Sequence, residues 1–430
     1  MTFTPAAETA IVIFLAVYAL IISEKIQRTI AALCGAVLMV MLGILTQEKA
    51  VSHIDFNTLG LLIGMMVIVG ITAETGLFHY LAIWAAQKVK ASPVKLLTAS
   101  ALLTAVCSGF LDNVTTVLLT VPVTFHICRR LQIPVMPFLL IQIMASNIGG
   151  TATLIGDPPN VMIGSAVPQL DFMTFLTCLG PVCAFILGVT IVLLSYFYKD
   201  RLKTTAALRE SIMALHAKDT ITDGTLLAKC LLVLALVVAG FIFHSRLGWE
   251  TATISLAGAA LLMVLTIHDD EDKISEKLEK VEWTAIFFFI GLFVVIGGLV
   301  ETGVIKIMAR EAILLTKDNP ETAAMLILWL SAIASAFIDN IPFVATMIPL
   351  IQDMGAMGMT DLTPLWWALS LGACLGGNGT LIGASANVVV AGLARREGVK
   401  LSFMDYTKAG FPFMILSILI SSVYLMVLYF

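Results

Sequence analysis

Apolar residues fall in long blocks along this chain, and polar ones gather between them. Blocks at about 9–23, 29–46, 57–73, 173–197, 227–245, 251–268, 283–300 and 410–430 approach the length of about 20 helical residues that crosses a hydrocarbon layer. Each is predicted to be a membrane-spanning helix. Two longer blocks, 135–168 and 364–394, are interrupted by glycine-rich polar phrases and are predicted to be broken spans. Two more, 95–128 and 321–352, carry polar residues at their centres and turn or charge signals at both ends. Each is long enough for two helices of about 15 residues. At about 1.5 Å per residue each arm reaches about 22 Å, near the bilayer midplane. We read these two segments as re-entrant hairpins that enter and leave on one side, with the polar centre as the tip.

The basic residues give the pattern a direction. With both hairpins re-entrant and both termini outside, 20 of the 25 Lys and Arg fall on the inner side. That asymmetry favours an inner-membrane orientation with a cytoplasmic segment 198–226. Making either hairpin a full crossing would invert everything after it. Segment 198–226 is polar and is expected to be a linker with a surface helix.

A shift of 227 residues aligns the halves without a gap from about 55 to 166. Gly64, Gly70, Glu74, Thr75 and Gly76 fall on Gly291, Gly297, Glu301, Thr302 and Gly303. Asp112-Asn113 falls on Asp339-Asn340, and "GGTATLIGDPPN" (149–160) on "GGNGTLIGASAN" (376–387). One offset across so many uncommon residues is an internal duplication. Each half has five crossings, an odd number, so the second repeat is inverted. The expected fold is therefore an all-α polytopic membrane protein with ten transmembrane spans and two hairpins. The N-terminal repeat covers 1–197, the linker 198–226 and the C-terminal repeat 227–430.

Composition agrees: 59% of residues are hydrophobic and 13% charged, against about 25% charged in soluble domains. A net charge of −4 gives no footprint for nucleic acid. The seven cysteines lie in apolar runs without metal-ligand spacing, and Cys374 is read with the others as a small apolar residue. No nucleotide-binding loop is present, and no motif calls for a cofactor.

Inverted repeats with interrupted helices mark a secondary transporter rather than an enzyme. Backbone freed at membrane depth must face protein or a watery cavity. The candidate binding residues therefore sit at the tips and the breaks. From the first half come Asp112, Asn113, Thr115, Thr116, Asn147, Gly149, Gly150, Thr151, Thr153, Asp157 and Asn160. From the second come Asp339, Asn340, Gly376, Gly377, Asn378, Thr380 and Asn387. The tips contain no Lys or Arg, so Asp112 and Asp339 are expected to be uncompensated proton or Na⁺ sites, with helix capping as the bland alternative. Asp157 lies opposite Ala384 and reads either as an ion ligand or as a cap before Pro158-Pro159. Glu74 and Glu301 are expected to end spans at the interface. Gly64, Gly70, Gly291 and Gly297 are expected to allow close helix packing. An intramembrane aspartyl protease would need a Gly-x-Gly-Asp phrase, which is absent, and would leave the duplication unexplained.

The phrases "FLDN", "GGTATLIGDPPN" and "FIDNIPF" resemble the ion transporter superfamily, in its arsenite permease, P-protein and NhaD-like antiporter branch, with citrate and dicarboxylate carriers as distant relations. The resemblance spans essentially the whole chain. It implies a mobile transport domain of hairpins and broken helices and a scaffold that often dimerises. Dicarboxylate carriers of this superfamily have Ser-Asn-Thr at the tips, whereas this chain has Leu-Asp-Asn and Ile-Asp-Asn. Paired carboxylates disfavour a di- or tricarboxylate and favour neutral or cationic cargo. The expected activity is proton-coupled efflux of arsenite or antimonite. Na⁺/H⁺ antiport, or carriage of another anion or small molecule, stays open, as does a separate ATPase partner.

Overall fold

The computed structural model describes residues 4–23, 25–267, 271–317 and 319–430. Among them are 21 α-helices, and no strand occurs. The first half runs α1 (Pro5–Ser23), α2 (Arg28–Met41), a short α3 (Gln47–Ser52), α4 (Phe56–Glu74) and α5 (Leu77–Lys88). It continues with α6 (Pro93–Phe110), α7 (Asn113–Leu131), α8 (Met136–Thr151), α9 (Pro158–Ala166) and α10 (Phe172–Tyr198). The linker holds α11 (Ala206–Met213). The second half runs α12 (Gly224–Leu247), α13 (Thr251–Thr266), α14 (Glu271–Leu278), α15 (Trp283–Glu301) and α16 (Val304–Thr316). It ends with α17 (Pro320–Phe337), α18 (Asn340–Ala356), α19 (Thr363–Gly376), α20 (Ser385–Arg396) and α21 (Phe403–Tyr429).

Helices occupy each of the expected apolar blocks, and each interrupted block is split into two helices. The hairpin pairs are α6–α7 and α17–α18, and each turns at its Asp. The broken spans are α8–α9 and α19–α20. Proline starts α6, α8, α9, α17 and α19 at one of their first two positions, where no amide partner is lost. Four helices, α3, α5, α14 and α16, were not anticipated from the apolar blocks. Helices α5 and α16 follow α4 and α15 in matching positions, each entered through a glycine with positive φ, Gly76 at +77° and Gly303 at +76°. They were hidden because they mix polar and apolar residues and are too short to span.

The halves interleave. Helix α4 packs on α13 of the other half, and α2 packs on α15. Gly64 and Gly291 make these contacts close. A methyl group on Gly64 would meet the backbone at Ser255, and one on Gly291 would meet that of Ala32 and Leu33. These four helices form the main contact between the halves. Hairpin α6–α7 lies on α8, and α17–α18 on α19, with α7 against α20 and α18 against α9.

Glu74 and Glu301 do end their helices, and each also binds cations. Glu74 accepts from Lys277 at 2.7 Å and pairs with Lys280 at 3.2 Å. Glu301 pairs with Lys49 and, at 3.3 Å, with His53. Lys280 and His53 are 227 residues apart, so the duplication is built into these contacts too.

Candidate functional site at the hairpin tips and helix breaks

Each break is held by a repeated set of bonds. The Thr153 hydroxyl donates to the Gly109 carbonyl at 2.5 Å, and its equivalent Thr380 donates to the Ala336 carbonyl. Ser108 donates to the Ser146 carbonyl at 2.7 Å, and Ser335 to that of Ala373 at 2.6 Å. These bonds fasten each hairpin to its own broken helix. Asn160 then gathers the first break by donating to the carbonyls of Gly150, Thr151 and Thr153 at 3.3, 3.0 and 2.9 Å. Asn387 does the same in the second, to Gly377 at 2.7 Å and Thr380 at 2.9 Å. The carbonyls released by the glycine-rich breaks are thus satisfied by buried amides, as backbone at membrane depth requires.

The two breaks meet through side chains. Asn147 donates to Asn378 at 2.9 Å and to Asn387 at 3.1 Å, and accepts from Asn113 at 3.3 Å. On the other side of the pseudosymmetry, Asn160 accepts from Ser370 at 2.6 Å and from the Cys374 thiol at 3.6 Å. Cys374 is the repeat equivalent of Asn147. The reading of Cys374 as a mere apolar filler is therefore corrected: it is fully buried and faces the polar centre. All five asparagines are buried; Asn113, Asn147, Asn378 and Asn387 form one amide network across the halves, and Asn160 makes a second link through Ser370 and Cys374.

The aspartates divide into three situations. Asp112 caps α7, accepting from the Thr115 amide at 2.8 Å and the Thr115 hydroxyl at 2.5 Å. Asp157 was open to a capping role, but its carboxylate bonds no amide of α9. Instead it accepts from the Asn340 amide of the opposite hairpin at 3.3 and 3.4 Å. Asp339 accepts from the Ile341 amide at 3.3 Å and is not uncompensated. Arg28, at the start of α2, reaches its Oδ2 at 2.5 Å, and Ser385 donates to the same oxygen at 2.8 Å. The expectation of an open Na⁺ or proton site at Asp339 is corrected accordingly. The cation comes from a helix 311 residues away in sequence, so the tip sequences gave no sign of it. Arg28, Ser370 and Cys374 are site groups that sequence reasoning missed, whereas Ser385 lies inside the 376–387 phrase that it singled out.

Other predicted site residues take backbone or packing roles. Gly149 and Gly376 lie against the backbone of Ala105 and Ala332, and Gly150 and Gly377 against Gly156 and Gly383. The Thr151 hydroxyl donates to the Asn147 carbonyl in its own helix at 2.6 Å. Thr116 is different: it is fully buried beside Asn113, and its hydroxyl makes no hydrogen bond. A cavity of about 320 Å³ opens next to the tips, lined by Gln27, Arg28, Val114, Glu282, Asp339 and Ser385. Glu282, the residue before α15, lies within electrostatic range of Arg28 and Asp112.

Duplicated hairpins and broken helices, meeting at buried amides and carboxylates inside an apolar helical body, define a multi-pass membrane transporter. The chain belongs to the citrate transporter family, whose model matches residues 18–372. An uncharacterized transporter of Mycobacterium tuberculosis is 44% identical over 429 residues, covering 98% of each chain. The human P protein is 36% identical over 505 residues, which cover 97% of this chain and 59% of that protein. Among solved structures, the YdaH transporter of Alcanivorax borkumensis matches with a TM-score of 0.61 at 15% identity, over 99% of this chain and 98% of that one. That likeness supports the fold alone.

Proposed function

We propose that this transporter moves a small uncharged oxoacid, arsenite or antimonite, outward in exchange for a proton. The observation that carries the reading is the charge balance of the centre: Asp112, Asp157 and Asp339 gather around neutral amides, with one guanidinium to offset them. A di- or tricarboxylate would meet net repulsion there. An uncharged trihydroxide can donate to carboxylates and amide oxygens and accept from amide nitrogens. The unpartnered Thr116 hydroxyl supports a ligand contact beside Asn113. In this reading Asp112, Asn113, Thr116, Asn147, Asp157, Asn340 and Asn378 contact cargo or proton. The excess of basic residues on one side supports a cytoplasmic linker with both termini outside, and in this reading α2, α4, α13 and α15 form the scaffold past which the hairpins move.

A second reading, an organic carboxylate, is favoured by one observation: the Arg28 guanidinium lines the cavity, and the family bears a citrate transporter description. Na⁺/H⁺ antiport is the third arm of the same test. Purified protein in proteoliposomes under an imposed pH gradient is given arsenite, citrate or Na⁺. Arsenite flux that dissipates the gradient supports the proposal. Citrate or Na⁺ flux without arsenite flux overturns it.

A further inference from the structure

We infer that Arg28 is an internal counter-ion that locks the second hairpin tip to the scaffold and must let go of Asp339 before the tip can move. The base of this residue belongs to the scaffold. It opens α2, whose close packing on α15 is set by Gly291, and its guanidinium lies 5.1 Å above the ring of Phe288 on α15. Its head belongs to the transport elements. The same Nη1 binds Asp339 of the hairpin at 2.5 Å and Ser385, the first residue of α20, at 2.8 Å. One side chain therefore ties the scaffold to both the hairpin and the broken helix of the second half. In the first half, Asp112 is held by its own Thr115 instead, so the lock is one-sided.

The pair is also placed where it can be undone. Its side chains are partly exposed, 33% for Arg28 and 11% for Asp339, at the wall of the 320 Å³ cavity. A half-buried pair broken on one side leaves a charge short of its partner, which is unfavourable. Two events avoid that outcome. A proton or coupling cation arriving at Asp339 neutralises it. Glu282, in the same cavity and on the scaffold side, then offers Arg28 a second carboxylate. The other charged groups in reach are Asp112 of the first hairpin and Asp157 ahead of α9. Asp157 feels the charge of Asp339. The lock is thus closed while Asp339 holds its charge and open once a proton or coupling cation cancels it.

This inference rests on the transporter reading but not on any cargo, and its test uses none. Ile22→Cys and Val388→Cys, both exposed and both on the cavity wall, carry spin labels in protein whose Cys34, Cys107 and Cys178 are replaced. The buried cysteines stay. Distance distributions are recorded in liposomes from about pH 7 to about pH 3, which spans the ordinary aspartate value of about 3.9. The expected result is a second population that grows as pH falls, its ratio to the first changing by up to about ten-fold per pH unit. Arg28→Gln and Asp339→Asn should each show that population already at high pH and lose the pH response, whereas Arg28→Lys should restore it. A pH response unchanged in Asp339→Asn overturns the lock, and this variant decides the matter even where Arg28→Gln does not fold. Failure of arsenite flux alone would count against the cargo and leave the lock standing.

Discussion

The Asn147 amide donates to the Asn387 side-chain oxygen at 3.1 Å, a buried contact between the broken helices of the two halves. The same nitrogen serves Asn378 at 2.9 Å. Asn147→Ala would leave two buried acceptors without this donor. An orphaned buried polar group costs about 1–3 kcal/mol. The variant should lose stability by about that amount and transport by at least about ten-fold, because the breaks no longer hold register with each other. Thermal unfolding in detergent and flux in proteoliposomes measure the two effects separately. Unchanged flux would mean that the network is not part of the transport centre.

Asp112 is both a cap and a charge, and two substitutions separate these roles. Asparagine caps a helix about as well as aspartate, so Asp112→Asn should alter stability by less than about 0.5 kcal/mol. Asp112→Ala loses the bonds to Thr115 and should cost about 1 kcal/mol. Both should abolish transport if the carboxylate carries the proton. Wild-type flux in Asp112→Asn would leave capping as its whole function.

Most of the fold was legible because the bilayer demands it: long apolar runs, and polar or glycine-rich interruptions where backbone must be freed. The candidate site was legible at Asp112, Asn147 and Asn160 for the same reason, since polar residues stand out in an apolar run. Asp339 shows the limit. Its partner Arg28 lies near the end of an ordinary span, where a basic residue signals orientation and nothing more. Helices α5 and α16 escaped because a half-polar helix of 12 or 13 residues is not separated from a loop by hydropathy. Cys374 did have a signal. The 227-residue shift sets it opposite Asn147, and a thiol in a polar register of the repeat marks it as more than filler.

Cys374 therefore yields a chemical prediction. Its thiol shares the Asn160 oxygen with the Ser370 hydroxyl. Cys374→Ser can place a hydroxyl in the same direction and should keep flux within about two-fold, whereas Cys374→Ala removes one hydrogen bond, a loss of about 0.5–1.5 kcal/mol. If cargo is instead captured through sulfur, the serine variant loses arsenite binding while its unfolding temperature is unchanged. Binding measured by isothermal calorimetry beside an unfolding curve tells these outcomes apart.

Gly149 and Gly376 carry the last prediction, because they occupy equivalent positions on α8 and α19 and face the hairpins. A methyl group on Gly149 would overlap the Ala105 carbonyl, and one on Gly376 would sit 2.6 Å from that of Ala332. Both obstacles are backbone and cannot rotate away. Each alanine must wedge the hairpin from its broken helix, and overpacking of this kind costs about 1–3 kcal/mol. The bonds from Thr153 to Gly109 and from Thr380 to Ala336 span the same seams and would stretch with them. Gly188 on α10 is the control: a methyl group there meets nothing within 4 Å, so Gly188→Ala should be neutral or stabilising. Yield of folded protein and unfolding temperature should fall for Gly149→Ala and Gly376→Ala alone. Equal behaviour of all three variants would show that the hairpins do not rest on the broken helices through these glycines.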